Sequence, residues 1–336
     1  MKKNEGFTSF EFLISLIFIS LLLIAFSILV QTVNITVNKK TNKGNDKKEI
    51  DLMISEIIKE IKNDRTPEVD SKNDPIWNLN GNNKNGYKIT IKSLSGFIDL
   101  NFLDSEILLQ TSIGTLIDNS ELITYLENYK NENKLFTNYE QIRDYISEEN
   151  FNKYFTFYSF PNINIADSKS LENLINNLTS SSIGSDLINK RKILKSNKQY
   201  VQTETDYNLF AGINYDKLIP YINIKPTLNI NFIDESLLRG LLSYSKFEIN
   251  SINQKVNTII SLRETSEIKE NDICNILGIS KADELYYYLG CKTWFWEIII
   301  EGNQERKSSC RCIVARSFEE NSLGSSDYYI IEKNWL

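Results

Sequence analysis

The chain has 336 residues, 41% hydrophobic and 24% charged, with 38 basic against 44 acidic residues and no histidine. Such a length admits about two domains of ~150 residues, and the composition excludes a disordered tail and a multi-pass membrane protein. The acidic balance lacks the footprint of a general nucleic-acid binder, and the missing histidine excludes Ser-His-Asp and Cys-His catalysis and histidine-ligated zinc. No GxGxxG or GxxxxGK[ST] occurs, so no phosphate cradle can be named and the chain reads as a non-enzyme.

From Phe12 to Val30 there is no charge, and only Ser15, Ser20 and Ser27 are polar. A helix of about 20 such residues crosses the ~30 Å hydrocarbon core. The run exceeds the ~7–15 apolar residues of a secretory signal, and no A-x-A site follows, so it is expected to stay as a membrane anchor. Ahead of it stand Lys2, Lys3, Gly6, Phe7 and Glu11. A short basic peptide, a glycine, a hydrophobic residue and a glutamate four positions later resemble a prepilin leader. The resemblance implies cleavage between Gly6 and Phe7 by a prepilin peptidase on the cytoplasmic face, then methylation of the Phe7 amine. It also implies that Glu11 pairs with the terminal ammonium of a neighbouring subunit during assembly. Lys39, Lys40, Lys43, Lys47 and Lys48 follow the span, and a positive-inside count alone would turn that side inward. The leader sets the orientation instead, with the amino terminus cytoplasmic.

Beyond the span, Ile50, Met53, Ile54, Ile57, Ile58 and Ile61 recur at helical spacing and predict an amphipathic helix from Lys48 to about Lys62, ended by Pro67. Tyr87, Ile89 and Ile91 alternate with Lys88, Thr90 and Lys92, the pattern of a half-buried strand. Further strands are expected at Trp294–Ile300, Cys310–Arg316 and Tyr328–Glu332. Between them lies an internal repeat: Asp99-Leu-Asn-Phe-Leu-Asp104, Asn162-Ile-Asn-Ile-Ala-Asp167 and Asn229-Ile-Asn-Phe-Ile-Asp234. Each runs into a helix-like segment, so Asn101, Asp104, Asn164, Asp167, Asn231 and Asp234 are expected to serve helix starts, where side-chain oxygens accept from orphan N–H groups. No D-x-[DN]-x-[DN]-G loop is present; no cofactor is called for, and calcium binding is not readable from the sequence.

These blocks carry a more specific resemblance. Ser95-Gly-Phe-Ile-Asp-Leu-Asn101, Ile163-Asn-Ile-Ala, Ile230-Asn-Phe-Ile and the approach Phe136-Thr-Asn-Tyr-Glu140 resemble, in order, blocks of the K-type minor pseudopilin of type II secretion (general secretion pathway protein K). Leu289-Gly-Cys-Lys-Thr-Trp-Phe295 resembles that family's return strand. The K-type subunit usually lacks the glutamate that Glu11 supplies. The resemblance implies an α+β protein: a pilin-like long N-terminal helix and antiparallel sheet with a large inserted all-α domain of sterile-alpha-motif-like repeats. The implied divisions are a leader at 1–6, the membrane-spanning and extended helix at 7–66, the first part of the pilin-like domain at 67–100, the helical insert at 101–288 and closing strands at 289–336. The implied function is assembly with I- and J-type minor pseudopilins and the major pseudopilin at or near the tip of a periplasmic pseudopilus. That filament supports protein export from a single-pass inner-membrane anchor.

Three features stand apart from it. Ser182-Ile183-Gly184 with Leu187, Ile188 and Arg191 resembles a helix-hairpin-helix, and Lys190, Lys192, Lys195 and Lys198 add a basic run. A solvated helix face is the reading preferred there, with a DNA-uptake pseudopilin or a type IV minor pilin as the alternative functions. Cys274, Cys291, Cys310 and Cys312 permit a disulfide outside the cytoplasm, the pair being open because four cysteines allow three connectivities. Trp294, Phe295, Trp296, Trp335 and Tyr286-Tyr287-Tyr288 are expected mostly as sheet core.

Overall fold

The computed structural model describes residues 46–303 apart from 65, 67, 112–118 and 181, together with 308–320 and 326–336. Gly6, Phe7, Glu11 and the apolar run lie outside the described residues. No helix among the described residues is long and apolar enough to cross a membrane.

The protein is α+β. Helix α1 (46–62) carries Ile50, Met53, Ile54, Ile57 and Ile61, spaced so that all five fall on one stripe, and all five are buried. They pack on a five-stranded antiparallel sheet ordered β1 (Asn83–Lys84), β2 (Tyr87–Ser93), β7 (Phe295–Gly302), β8 (Cys310–Glu320) and β9 (Ser326–Trp335). Ile89, Ile91, Ile298, Ile300, Cys310 and Cys312 supply the facing layer. Each fully buried side chain of this kind contributes about 1.5–3 kcal/mol, far more than the exposed polar contacts of Glu49, Asp51 and Glu56 at the helix rim. The opposite face of the sheet bears Phe295, Ile313 and Ala315 in a second cluster with Leu94 and Trp294. β7 is therefore covered on both sides, which explains its nearly unbroken hydrophobic sequence.

Strands β2 and β7 are neighbours in register, Ile89 opposite Ile300 and Ile91 opposite Ile298. Everything between them is inserted. The insert consists of three units, each opening with a short extended segment and closing when a later segment pairs parallel to it. β3 (Ile98–Asp99) pairs with β4 (Phe155–Thr156), Asn162 bridges to Asn223, and β5 (Leu228–Asn229) pairs with β6 (Leu289–Gly290). β3 thus belongs to the insert, which begins ahead of residue 101.

The first unit holds α2 (Ser105–Gln110), α3 (Asn119–Asn131) and α4 (Glu148–Tyr154). The second holds α5 (Ser168–Thr179), α6 (Gly184–Ser196), α7 (Glu204–Ala211) and α8 (Tyr215–Leu218). The third holds α9 (Glu235–Tyr244), α10 (Ile249–Thr265) and α11 (Glu270–Leu277). The first and third share one core, in which Ile107 and Leu108 join Leu237, Leu238 and Leu241. α2 and α9 approach so closely that a Cβ on Gly240 would lie 2.6 Å from Thr111 Cγ2. The second unit has a core of its own, from Ile163 and Leu171 to Leu218 and Ile222.

Of the aromatic group, Trp294, Phe295 and Trp296 are buried at the sheet, Tyr287 and Tyr288 are buried in the helical core instead, and Trp335 is 37% exposed. The four cysteines are free thiols, which corrects the expected disulfide. Cys310 and Cys312 sit two apart on one face of β8, pointing the same way into the α1 interface, so they cannot bridge each other. Burial pushes the Cys291 and Cys312 thiols up to about 12, which leaves them unreactive at neutral pH.

Candidate functional site

The repeated blocks carry the most regular chemistry of the molecule. The last residue of each is the N-cap of the next helix: Asp104 accepts from Glu106 N, Asp167 from Ser170 N and Asp234 from Ser236 N. A carboxylate suits the positive end of the helix dipole, and such a bond contributes about 1 kcal/mol.

The asparagines do something else, and here the expectation from sequence is corrected. Asn101, Asn164 and Asn231 do not accept from the first turn of the helix that follows. Each instead brackets one buried residue far along the chain. Asn101 Nδ2 donates to Phe136 O at 3.1 Å while Phe136 N donates to Asn101 Oδ1 at 2.7 Å. Asn164 holds Val201 at 2.9 and 2.8 Å, and Asn231 holds Ile268 at 3.1 and 2.9 Å. A primary amide presents a donor and an acceptor side by side, as a strand neighbour does, so each asparagine imitates one rung of a sheet inside an apolar core. The first Asx of each block orients it: Asp99, Asn162 and Asn229 accept from the backbone N–H of Asn101, Asn164 and Asn231 at 2.8, 2.8 and 2.9 Å.

A cation completes each unit by donating to the carbonyl just before the N-cap. Lys130 Nζ reaches Leu103 O at 3.2 Å, Arg191 Nη1 reaches Ala166 O at 2.7 Å, and Arg263 Nη1 reaches Ile233 O at 2.6 Å. Arg191, expected on a solvated face, is buried for this reason. Two lysines of the same basic run are also engaged: Lys190 donates to Leu209 O and Phe210 O, and Lys195 pairs with Glu284 at 2.5 Å. The N-terminal amide of Gly184 donates to Asn176 Oδ1 at 2.8 Å. Little of the helix-hairpin-helix resemblance is therefore left facing outward.

In the first unit the leading Asx is an acid. Asp99 receives Asn101 N, Phe102 N at 3.2 Å and the Ser159 hydroxyl, all donors. Burial nevertheless pushes its carboxyl up to about 6.

The third unit is tied to the sheet through Asp70, in the loop after α1. Its backbone N–H donates to Cys291 O at 2.8 Å, and its carbonyl accepts from Asn229 Nδ2 at 3.0 Å and Asn231 Nδ2 at 3.2 Å. The carboxylate takes a bidentate guanidinium, Arg316 Nη2 at 2.7 Å and Nη1 at 2.9 Å, and Thr293 N at 2.6 Å. Both charged side chains are almost fully buried, at 1% and 6% exposure. Arg316 lies 5.1 Å from the Trp296 ring centroid and 5.6 Å from that of Tyr328. Asp70 thus joins α1, the sheet and the third repeat at one point.

Asp64, Asp70 and Asp74 bring carboxylate oxygens within 4.8 Å of one another, the grouping among the described residues that most resembles a hard-cation site. Burial pushes the Asp74 carboxyl up to about 7, while Ser71 N donates to it at 2.7 Å. Arg316 occupies both oxygens of Asp70 and Ser71 donates to both of Asp74, so among the described residues Asp64 Oδ2 is the oxygen of this group left without a partner. Sequence reasoning missed Asp70 and Arg316. They lie 246 residues apart, and no local pattern marks either one. Comparison with protein-family models, curated proteins and solved structures finds no match.

Proposed function

We propose that the chain is a membrane-anchored minor pseudopilin of the K type, working by assembly rather than catalysis. The observation that carries this reading is architectural. A helix seated along an antiparallel sheet is interrupted, between two adjacent strands, by a triplicated helical insert. A chain with Gly6, Phe7 and Glu11 ahead of an apolar run is laid out in the same order as a K-type subunit. In this reading the helix and sheet are the pilin-like part, and the repeats are the sterile-alpha-motif-like head. The leader is removed after Gly6, the apolar run anchors the chain in the inner membrane with its amino terminus inside, and the folded parts stand in the periplasm. I- and J-type subunits and the major pseudopilin are the partners, and export across the outer membrane is the outcome.

Mass spectrometry of the chain from cells with a prepilin peptidase tests processing: a methylated Phe7 terminus is expected, and an intact Met1 or cleavage beyond Val30 overturns the reading. Pull-down of the chain against I- and J-type subunits tests assembly. Glu11→Gln should still be cleaved and inserted, since losing a charge eases insertion. Its crosslinking to neighbouring subunits should fall; an equal yield removes Glu11 from the assembly residues.

A further inference from the structure

The second repeat differs from its neighbours on its surface as well as in its core. It carries seven basic against six acidic residues over 162–223, whereas the first carries four against eleven over 98–156 and the third six against nine over 228–290. In a chain of net charge −6 it is the one repeat with a positive balance. It also exposes large apolar side chains: Ile193 at 64%, Leu209 at 73% and Ile213 at 98%. Between α6 and α7 runs a groove of about 540 Å³ lined by Lys190, Leu194, Lys198, Tyr200, Leu209 and Phe210. Asp206, the one acid in its lining, is held by the backbone N–H groups of Thr203 at 3.0 Å and Gln202 at 3.3 Å. Lys198, which lines the groove, is exposed and makes no ion pair among the described residues.

We propose that this groove docks an acidic, amphipathic segment of a partner protein. Its apolar side chains would lie against Leu194, Leu209 and Phe210, and its carboxylates would meet Lys198 and the remaining N–H of Lys190. The charge contrast argues for that partner over others: an acidic segment is repelled by the first and third repeats and attracted only by the second, which gives specificity as well as affinity. A nucleic acid fits less well. The backbone amide of Gly184 that would receive a phosphate already donates to Asn176, and the groove wall is apolar. A bilayer could rest on Leu209 and Ile213 but would not reach Leu194 and Phe210, which are recessed in the groove and need a segment narrow enough to enter it. The groove uses none of Gly6, Phe7 and Glu11, so its docking stands or falls apart from the pseudopilin reading.

The test uses the full chain in mild detergent, panned against a display library of short random peptides. Enriched peptides are expected to be net acidic, with leucine, isoleucine or phenylalanine at helical or alternating spacing. Their binding should weaken about tenfold or more with Lys198→Glu, and similarly with Leu209→Asn. Both positions are exposed, so thermal unfolding should match wild type, and a control Ile249→Asn on the third repeat should bind normally. Enriched peptides lacking acidic residues, binding that survives both variants, or no enrichment at all would overturn the proposal. So would tighter binding of duplex DNA, or of vesicles rich in anionic phospholipid, lost in the same variants.

Discussion

The second and third repeats start from the same sequence block and end in different mechanical situations. Asn164 and Asn231 make the same two-bond bracket, and Asp167 and Asp234 cap the corresponding helices α5 and α9. Yet Asn231 also donates to Asp70 O, and Asn229 donates there and to Cys291 O, so the third block holds its own repeat and the sheet together. In the second block, Asn162 donates to Lys225 O at 2.7 Å and to Tyr287 O at 3.5 Å, so among the described residues its amide reaches the third repeat but not the sheet. A shared local motif therefore defines how a unit closes. What the unit is attached to depends on which neighbour its spare amide hydrogens meet.

The sharpest way to break this contrast is Arg316→Met. It leaves Asp70 as a buried charge without its partner, a change that costs about 3–5 kcal/mol. Hydrogen exchange should show lost protection in β5, β6, α9 and α10 and in the sheet, while α5 and α6 keep theirs. Uniform loss through all three repeats would mean that the second is not a separate cooperative unit.

Gly96→Ala and Gly184→Ala set the same comparison at two close approaches. A Cβ on Gly96 would lie 2.3 Å from Phe232 O, a backbone atom, and one on Gly184 would lie 2.6 Å from Glu172 O. Each should destabilise by about 1–3 kcal/mol through overpacking. The first should loosen the joint between sheet and third repeat, and the second should affect α5 and α6 alone. Denaturant unfolding followed by hydrogen exchange separates the two.

Asn231→Ala and Asn164→Ala each strand a buried backbone N–H and C=O, of Ile268 and Val201, at about 2 kcal/mol. Asn231→Ala should be the worse of the two because it also removes a bond to Asp70. Equal losses in melting experiments would deny the third block its second role.

The smallest expected effect is a pH slope in the first repeat. The Asp99 carboxyl, ordinarily at 3.8, is raised to about 6 in the fold. The folded state therefore binds that proton more tightly than the unfolded chain. Its contribution is complete below the ordinary value and is lost as pH rises through about 6. Asp99→Asn supplies the residue found at Asn162 and Asn229, keeps an oxygen for Asn101 N, and should flatten the fall in stability between roughly pH 4 and 6. An unchanged slope would place the titration elsewhere.

Much of this organisation is legible in the sequence because it is local. The stripe from Ile50 to Ile61 and the alternation from Tyr87 to Ile91 report a helix face and a strand face, since 3.6- and 2-residue periods follow from backbone geometry alone. The repeated Asx blocks report three helix starts, because a cap bonds to residues two or three positions away. Only the tertiary structure decided the rest. The asparagine brackets span 35 to 37 residues, and the Asp70–Arg316 pair spans 246. Likewise, Arg191 reads as one more charge in a basic run until the carbonyl of Ala166 is placed beneath it. Bonds of that reach depend on which surfaces the core brings together, and the cost of leaving a buried polar group unpaired enforces them once it does.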